Sequence, residues 1–299
     1  MRIIDTTLHL LDAWHPTAEQ AAAFLEAMTQ MGINDFIVSS CIYNEVRNLP
    51  LSKGLRLYSL EKTKEGSYVR PWEQQNPTKA LRCLLGLDTL LLYDYKQVLQ
   101  TLLLRFGSTG ICLAPGNRYA GATAIAMEWV LAGGQQVCAS FTGVGNMAAT
   151  EEILAAAQVL KLPGEERDLT GLPGLSRLFY NMTEQTPDRY KPVLGDAIWS
   201  VESGIHVDGI LKNPSNYEPY PPERVGQKRH IVLGPSSGVS SIAYKLKKMG
   251  CGVWDKQRMQ EILQRVQEKS TREKNCVSDA AFLQLLTEEV KYGEKTLDG

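Results

Sequence analysis

Apolar runs of strand length alternate with helical segments through the first half of the chain, and this alternation limits the fold more than any other feature. Residues 2–7 read as a short strand, and residues 17–31 follow as an amphipathic helix. Thr17 is placed to cap that helix, with Gln20 at the position that completes a capping box. Residues 35–40 supply a second strand and complete a β-α-β opening. The rhythm resumes with strands at 89–93, 110–113 and 137–141, separated by helices near 96–105 and 121–132. Such alternation predicts a parallel sheet with helices packed outside it.

Between Tyr43 and Leu84 the pattern degrades. One strand is predicted at 55–60, and the polar stretch EKTKEGSYVRPWEQQNPTK that follows has no assigned place. A helix over 150–162 ends near Pro163, and GEERDLTGLPG reads as a turn-rich connection. Pro219, Pro221 and Pro222 mark an irregular segment, after which apolar spacing predicts helices over 239–249, 255–268 and 279–290. The chain thus divides into 1–162, a linking segment 163–235, and a helical subdomain 236–299.

With 299 residues, 43% of them apolar, the chain can bury a substantial core as one large domain or two smaller ones. Lys and Arg total 32 against 33 Asp and Glu, so no global field favours nucleic acid or an acidic membrane. The opening MRIIDTTLHLL lacks the pattern of a signal peptide, and no apolar run of about 18 residues points to a membrane span. Six cysteines, at 41, 83, 112, 138, 251 and 276, are scattered without close pairs or a metal-ligand spacing. They read as reduced thiols of a cytoplasmic protein. The five tryptophans form no stacking stripe, and Gly143-Val144-Gly145 lacks the third glycine of a dinucleotide fingerprint.

The stretch KPVLGDAIWSVESGIHVDGILKNPSNYEPYPPERVG, residues 191–226, resembles the segment that follows the barrel in homocitrate synthases. Its core, Glu202-Ser203-Gly204-Ile205-His206-Val207-Asp208-Gly209, is a specific marker of the homocitrate synthase and 2-isopropylmalate synthase family. Further pieces fall in the family's order: Ile3 to Leu8, GNRYAGATA from Gly116, GVGNMAATEEI from Gly143 and LTGLPGLSRL from Leu169. The resemblance implies a (β/α)8 barrel with its site at the C-terminal ends of the strands. Such barrels need about 250 residues, whereas the family's barrel-closing region ends here near residue 160. The expected fold is therefore α/β, a reduced or incomplete TIM-type barrel followed by a mostly α-helical C-terminal region. Either about two β/α units are missing, or residues 43–84 hold strands that the pattern conceals.

Members of this family join acetyl-CoA to the keto group of a 2-oxo acid, using a divalent metal such as Mg or Mn and a base that removes a methyl proton. The family's DTTL continues Arg-Asp-Gly, where the Arg holds the keto acid and the Asp binds metal; here it continues His9-Leu10-Leu11-Asp12. A slip of two residues brings in Asp12, but nothing supplies the Arg. The His-x-His pair corresponds to Ala114-Pro115-Gly116, before Asn117-Arg118, and an Arg there repels a hard cation. The third element, Gly-x-Gly-Glu-Arg-x-Gly-Asn, is shortened to Gly143-Val144-Gly145-Asn146-Met147. By this resemblance the chain alone is expected to hold no metal and no cofactor, with Asp5 and Asn146 as the remaining substrate-binding candidates.

What the resemblance retains is the helper segment. The family's His of SGIH assists proton transfer across the dimer interface, and His206 occupies that position, with Tyr217 as a hydrogen-bonding assistant. The competing reading is that Ser203, Gly204, His206 and Asp208 only build a turn-rich interface. Downstream, the family's Gly-Lys-His-Ser-Gly appears as Gly234-Pro235-Ser236-Ser237-Gly238, without the Lys and His. Three functions stay in competition. The first is a non-catalytic or partner subunit that donates His206 in trans, as a homodimer or as a heterodimer with an intact homologue. The second is an active acyltransferase with a remodelled site, and the third a regulatory protein that binds a 2-oxo acid or acetyl-CoA.

Overall fold

The computed structural model describes residues 1–72 and 80–295. The chain forms two compact units: Met1–Gly195 with Arg224–Gly226, and Asp196–Glu223 with the chain from Gln227 onward. The first unit runs β1 Arg2–Asp5, α1 Thr7–Leu10, α2 Ala18–Gln30, β2 Asp35–Ile37, α3 Ser40–Val46, β3 Arg56–Thr63, β4 Gly66–Pro71 and β5 Leu81–Gly86. It continues α4 Tyr95–Phe106, β6 Ile111–Pro115, α5 Ala122–Leu131, β7 Gln136–Ala139, α6 Thr150–Val159 and α7 Leu172–Thr183. Thr17 caps α2 through the expected capping box with Gln20.

The strands β1 to β7 follow one another in order around a closed barrel, with β7 paired back onto β1. All neighbours are parallel except β3–β4 and β4–β5, which are antiparallel. The barrel therefore closes, and it does so with the concealed strands of residues 43–84: a β3–β4 hairpin takes the place of β/α units. The inward positions Tyr58, Leu60, Val69 and Leu81 are apolar there, but charged outward neighbours such as Glu61, Arg70 and Arg82, and Lys62 at the end of the inward row, dilute the period-2 signal. Part of the unassigned polar stretch, residues 73–79, lies outside the described residues. The strand expected at 89–93 is instead a short 3-10 turn, Leu90–Leu92, and β5 lies before it. Likewise β1 stops at Asp5, because the chain turns directly into α1.

Alternation sends Ile4, Ile37, Tyr58, Val69, Cys83, Cys112, Ala114 and Cys138 into the lumen, which is a packed core and not a pore. Its floor, at the N-terminal ends of the strands, is polar. Asp35 accepts hydrogen bonds from Arg2 Nη2 (2.7 Å), Arg56 Nε and Nη2 (2.7 and 2.6 Å) and the Tyr58 hydroxyl (2.9 Å). Arg2 also donates to Gln136 Oε1 at 2.8 Å. Burial pushes the Asp35 carboxyl up, but the bonds from Arg56 and Arg2 outweigh it and hold its pKa at about 2.

On the opposite side α6 is bolted to the strand ends. The Thr7 hydroxyl accepts from the Phe141 N–H at 2.7 Å, and the fully buried Glu151 accepts from the Thr142 N–H at 2.9 Å. Lys191 lies 3.1 Å from Glu151 and 2.7 Å from Glu152. Burial nevertheless pushes the Glu151 carboxyl up to about 7, with Lys191 opposing.

The second unit contains a parallel pair, β8 Ser200–Val201 with β9 His230–Ile231, and four helices: α8 Gly204–Lys212, α9 Val239–Met249, α10 Lys256–Glu273 and α11 Asp279–Lys295. Leu233, Ile242, Leu246, Ile262, Val266 and Phe282 form its core. Asp255 caps α10, and Gly250 ends α9 in the left-handed conformation that glycine adopts without strain. Among the described residues no helix is long and apolar enough to cross a membrane.

Two stability outcomes follow from these networks. Replacing Asp35 by Ala leaves Arg2, Arg56 and Tyr58 without their shared acceptor. The expected loss in urea unfolding is about 2–4 kcal/mol, at the lower end of buried-pair losses because both guanidinium groups keep access to water. Glu151 has a raised pKa, so its contribution to stability is full below its ordinary value and is lost as pH rises through about 7. Glu151→Gln keeps the acceptor for Thr142. It should flatten the decline between pH 5 and pH 8 by up to about 3 kcal/mol, read from urea midpoints at both pH values.

Candidate functional site

The three segments that carry the altered motifs meet at the C-terminal mouth of the barrel. Leu10, where the family pattern has its metal-binding Asp, packs on the loop after β7: a Cβ on Gly145 would lie 2.7 Å from Leu10 Cδ1. The loops after β6 and β7 are joined by the Asn117 N–H donating to the Asn146 carbonyl at 2.8 Å and by a bridge between Gly116 and Met147. Gly116 has no room for a side chain, since its Cβ would lie 2.5 Å from a carboxylate oxygen of Asp88. That carboxylate also accepts from the Arg118 N–H at 3.1 Å.

The candidate Asp5 is buried, and both its oxygens are engaged. Oδ1 accepts from the Thr7 N–H at 2.9 Å and Oδ2 from the Thr150 hydroxyl at 2.8 Å. Ile4 faces the lumen, so Asp5, its neighbour, faces α6. Burial raises its carboxyl to about 6. Asn146, by contrast, is exposed on its loop with a left-handed backbone (φ 64°). The mouth thus brings Asn146 beside Gly145 and Asn117 and keeps Asp5 behind the barrel wall. Asp12 accepts from the Ser39 hydroxyl at 2.5 Å, which itself caps α3. His9 is half-buried, and burial lowers its pKa; its Nδ1 has no partner. These positions do not fit a hard divalent cation, which needs several convergent oxygen donors.

A different donor set lies deeper in the lumen and overturns the expectation that this chain holds no metal-binding group. Cys83, Cys112 and Cys138, on the adjacent strands β5, β6 and β7, form a tight arrangement of the metal-ligand kind, with all three sulfurs within 4.8 Å of one another. Cys112 Sγ and Cys138 Sγ are 3.1 Å apart, and Cys83 Sγ and Cys138 Sγ 3.8 Å. Their spacing of 29 and 26 residues hides this, because closure of the barrel, not sequence proximity, assembles them. The legible signal was position: each cysteine stands at an inward point of its strand. Burial pushes the Cys112 thiol up, while hydrogen bonds from its two neighbours lower Cys83.

In the second unit His206 and Tyr217 come together, with ring centroids 5.3 Å apart and planes tilted by 55°. Residues 204–209 of ESGIHVDG form the start of α8, with Ser203 at its N-cap, and most residues of the segment have structural work. Glu202 accepts from the Ser236 N–H at 2.7 Å, and Gly204 packs on the backbone of Gly238. Val207 and Ile210 are buried, Asp208 pairs with Lys212 at 2.6 Å, and Gly209 leaves space for the Tyr217 ring. His206 is exposed, and Tyr217 is 44% exposed.

Comparisons with known proteins agree with this segment. Residues 193–274 match the family described as homocitrate synthase post-HMGL domain-like. The chain is 35% identical over 174 residues to a homocitrate synthase omega subunit of Clostridium pasteurianum, covering 58% of this chain and 48% of that protein. It is 34% identical over 169 residues to homocitrate synthase AksA of Methanocaldococcus jannaschii, covering 56% and 41%. An (R)-citramalate synthase CimA of the same organism is 34% identical over 192 residues, covering 60% and 39%. The matches span less than half the length of each of these relatives. Over part of its length, and at moderate identity, the chain is therefore homologous to the family of homocitrate, 2-isopropylmalate and citramalate synthases.

Proposed function

We propose that the chain is a partner subunit of a homocitrate synthase-type acyltransferase, lending the His206–Tyr217 face to the barrel of an intact homologue. The observation that carries this reading is the division of labour along α8. Glu202, Gly204, Val207, Asp208 and Gly209 are used to build the unit, while the His206 imidazole is left exposed beside the Tyr217 ring. An exposed imidazole held at a fixed place suits proton transfer in a neighbouring site. At the chain's own mouth, Leu10 and Gly116 stand where the family resemblance expects metal ligands, and Asp5 is turned away. One relative is itself described as a subunit of a homocitrate synthase, which supports a divided enzyme. The buried thiols of Cys83, Cys112 and Cys138 fit a reducing, cytoplasmic setting.

The test is release of CoA from acetyl-CoA with a panel of 2-oxo acids, for the chain alone and mixed with an intact homologue whose own SGIH histidine is replaced. The chain alone should give no turnover, and the mixture should recover activity. His206→Asn in the added chain should reduce that recovery about 100-fold, the usual share of a general acid or base. Turnover by the chain alone, or recovery indifferent to His206, rejects the reading.

A further inference from the structure

We infer that Cys83, Cys112 and Cys138 bind one thiophilic d10 metal ion in three-thiolate coordination inside the barrel. This inference is independent of the subunit reading. Cys83 and Cys112 face each other across the β5–β6 register, and Cys138 sits on β7 one residue beyond the Leu113–Val137 pair. Their exposures are 3%, 0% and 1%, so solvent contributes no ligand. Two of the sulfur separations are 3.1 and 3.8 Å and all three sulfurs lie within 4.8 Å of one another, whereas a trigonal ion with metal–sulfur bonds of about 2.3 Å requires sulfurs about 4 Å apart.

The surroundings select the kind of ion. Ile4, Ile37, Tyr58, Val69 and Ala114 pack with the cysteines in the lumen, and among the described residues the group of convergent ligand atoms consists of the three cysteine sulfurs, without a carboxylate or imidazole. Calcium, magnesium and manganese require oxygen donors and find none here, whereas thiolates favour ions of the zinc, cadmium or copper(I) kind. Charge narrows the choice further. Binding a divalent ion releases three thiol protons and leaves a complex of charge −1. The floor network of Arg2, Arg56 and Asp35 carries +1, and the charge of Arg2 reaches Cys112. A monovalent ion would leave −2 in an apolar core. The geometry and the charge together point to a divalent ion, with a structural role: it ties the neighbouring strands β5, β6 and β7 from inside the lumen.

The outer thiols Cys41, Cys251 and Cys276 are not part of the cluster, so the experiment uses the full chain carrying C41S, C251S and C276S. The reduced protein is titrated with cadmium(II), both as the native fold and during refolding from urea, because a fully buried site fills as the barrel forms. The expected result is one equivalent of cadmium retained per chain after desalting, with a sulfur-to-cadmium charge-transfer band, an all-sulfur shell by X-ray absorption and a raised melting temperature. Cys112→Ala and Cys138→Ala should each reduce retention to none; circular dichroism confirms that each variant is folded. Absence of retained cadmium by both routes overturns the inference, as does retention unchanged in the folded Cys112→Ala and Cys138→Ala variants. Finding Cys112 and Cys138 joined as a disulfide in protein prepared under reductant overturns it as well.

Discussion

The carboxylate of Asp35 is the interaction on which the barrel depends, because it collects donors from the strands on both sides of its own. Arg2 on β1, Asp35 itself on β2, and Arg56 with Tyr58 on β3 are joined at the floor, and Arg2 extends the bond to Gln136 on β7. A parallel barrel needs its strand ends held in register before its lumen can fill. Below the lumen that task falls to charged, directional bonds, and within it to apolar packing and thiols. The order is consistent with physical cost: the polar groups lie at the end where water can still reach the guanidinium groups, and the middle layer is dry.

The same alternation that fills the lumen explains how much of the fold was legible. β1, β2, β6, β7 and helices α2, α4, α5, α6 and α9 stand out in the sequence, since their apolar positions repeat at the expected periods. Of the β3–β4 hairpin only the start of β3 did, in the strand predicted at 55–60; the rest did not, because it faces solvent on one side and carries Glu61, Lys62 and Lys64. Parallel strands covered on both faces read as apolar runs, whereas a half-exposed hairpin reads as polar. The 89–93 segment misled for the opposite reason: Leu90, Leu91 and Leu92 look like a strand but form a turn.

The candidate site was legible to different depths. The His206–Tyr217 pair could be anticipated from the motif around it, because the short 3-10 turn Pro214–Asn216 after α8 returns Tyr217 beside His206. Asp5 was visible as a residue but not as a bolt, since its partner Thr150 is 145 residues away. The cysteine cluster was the largest gap. Its members lie on three strands, and neither the expectation of scattered thiols nor that of a metal-free chain withstands their convergence. A list of inward-facing strand positions, rather than a search for close spacing, is the sequence signal that finds such a site.

The proposed reading divides the tasks: the barrel closes with Leu10 and Gly116 where the family resemblance expects metal ligands, and the helical unit would lend its exposed His206 to a neighbouring barrel. The most direct measurement of that division is native mass spectrometry of this chain mixed with an intact homocitrate synthase-like homologue. A mixed oligomer containing both chains is the result expected. Separate populations of the two proteins, at concentrations where the homologue alone is dimeric, would contradict it.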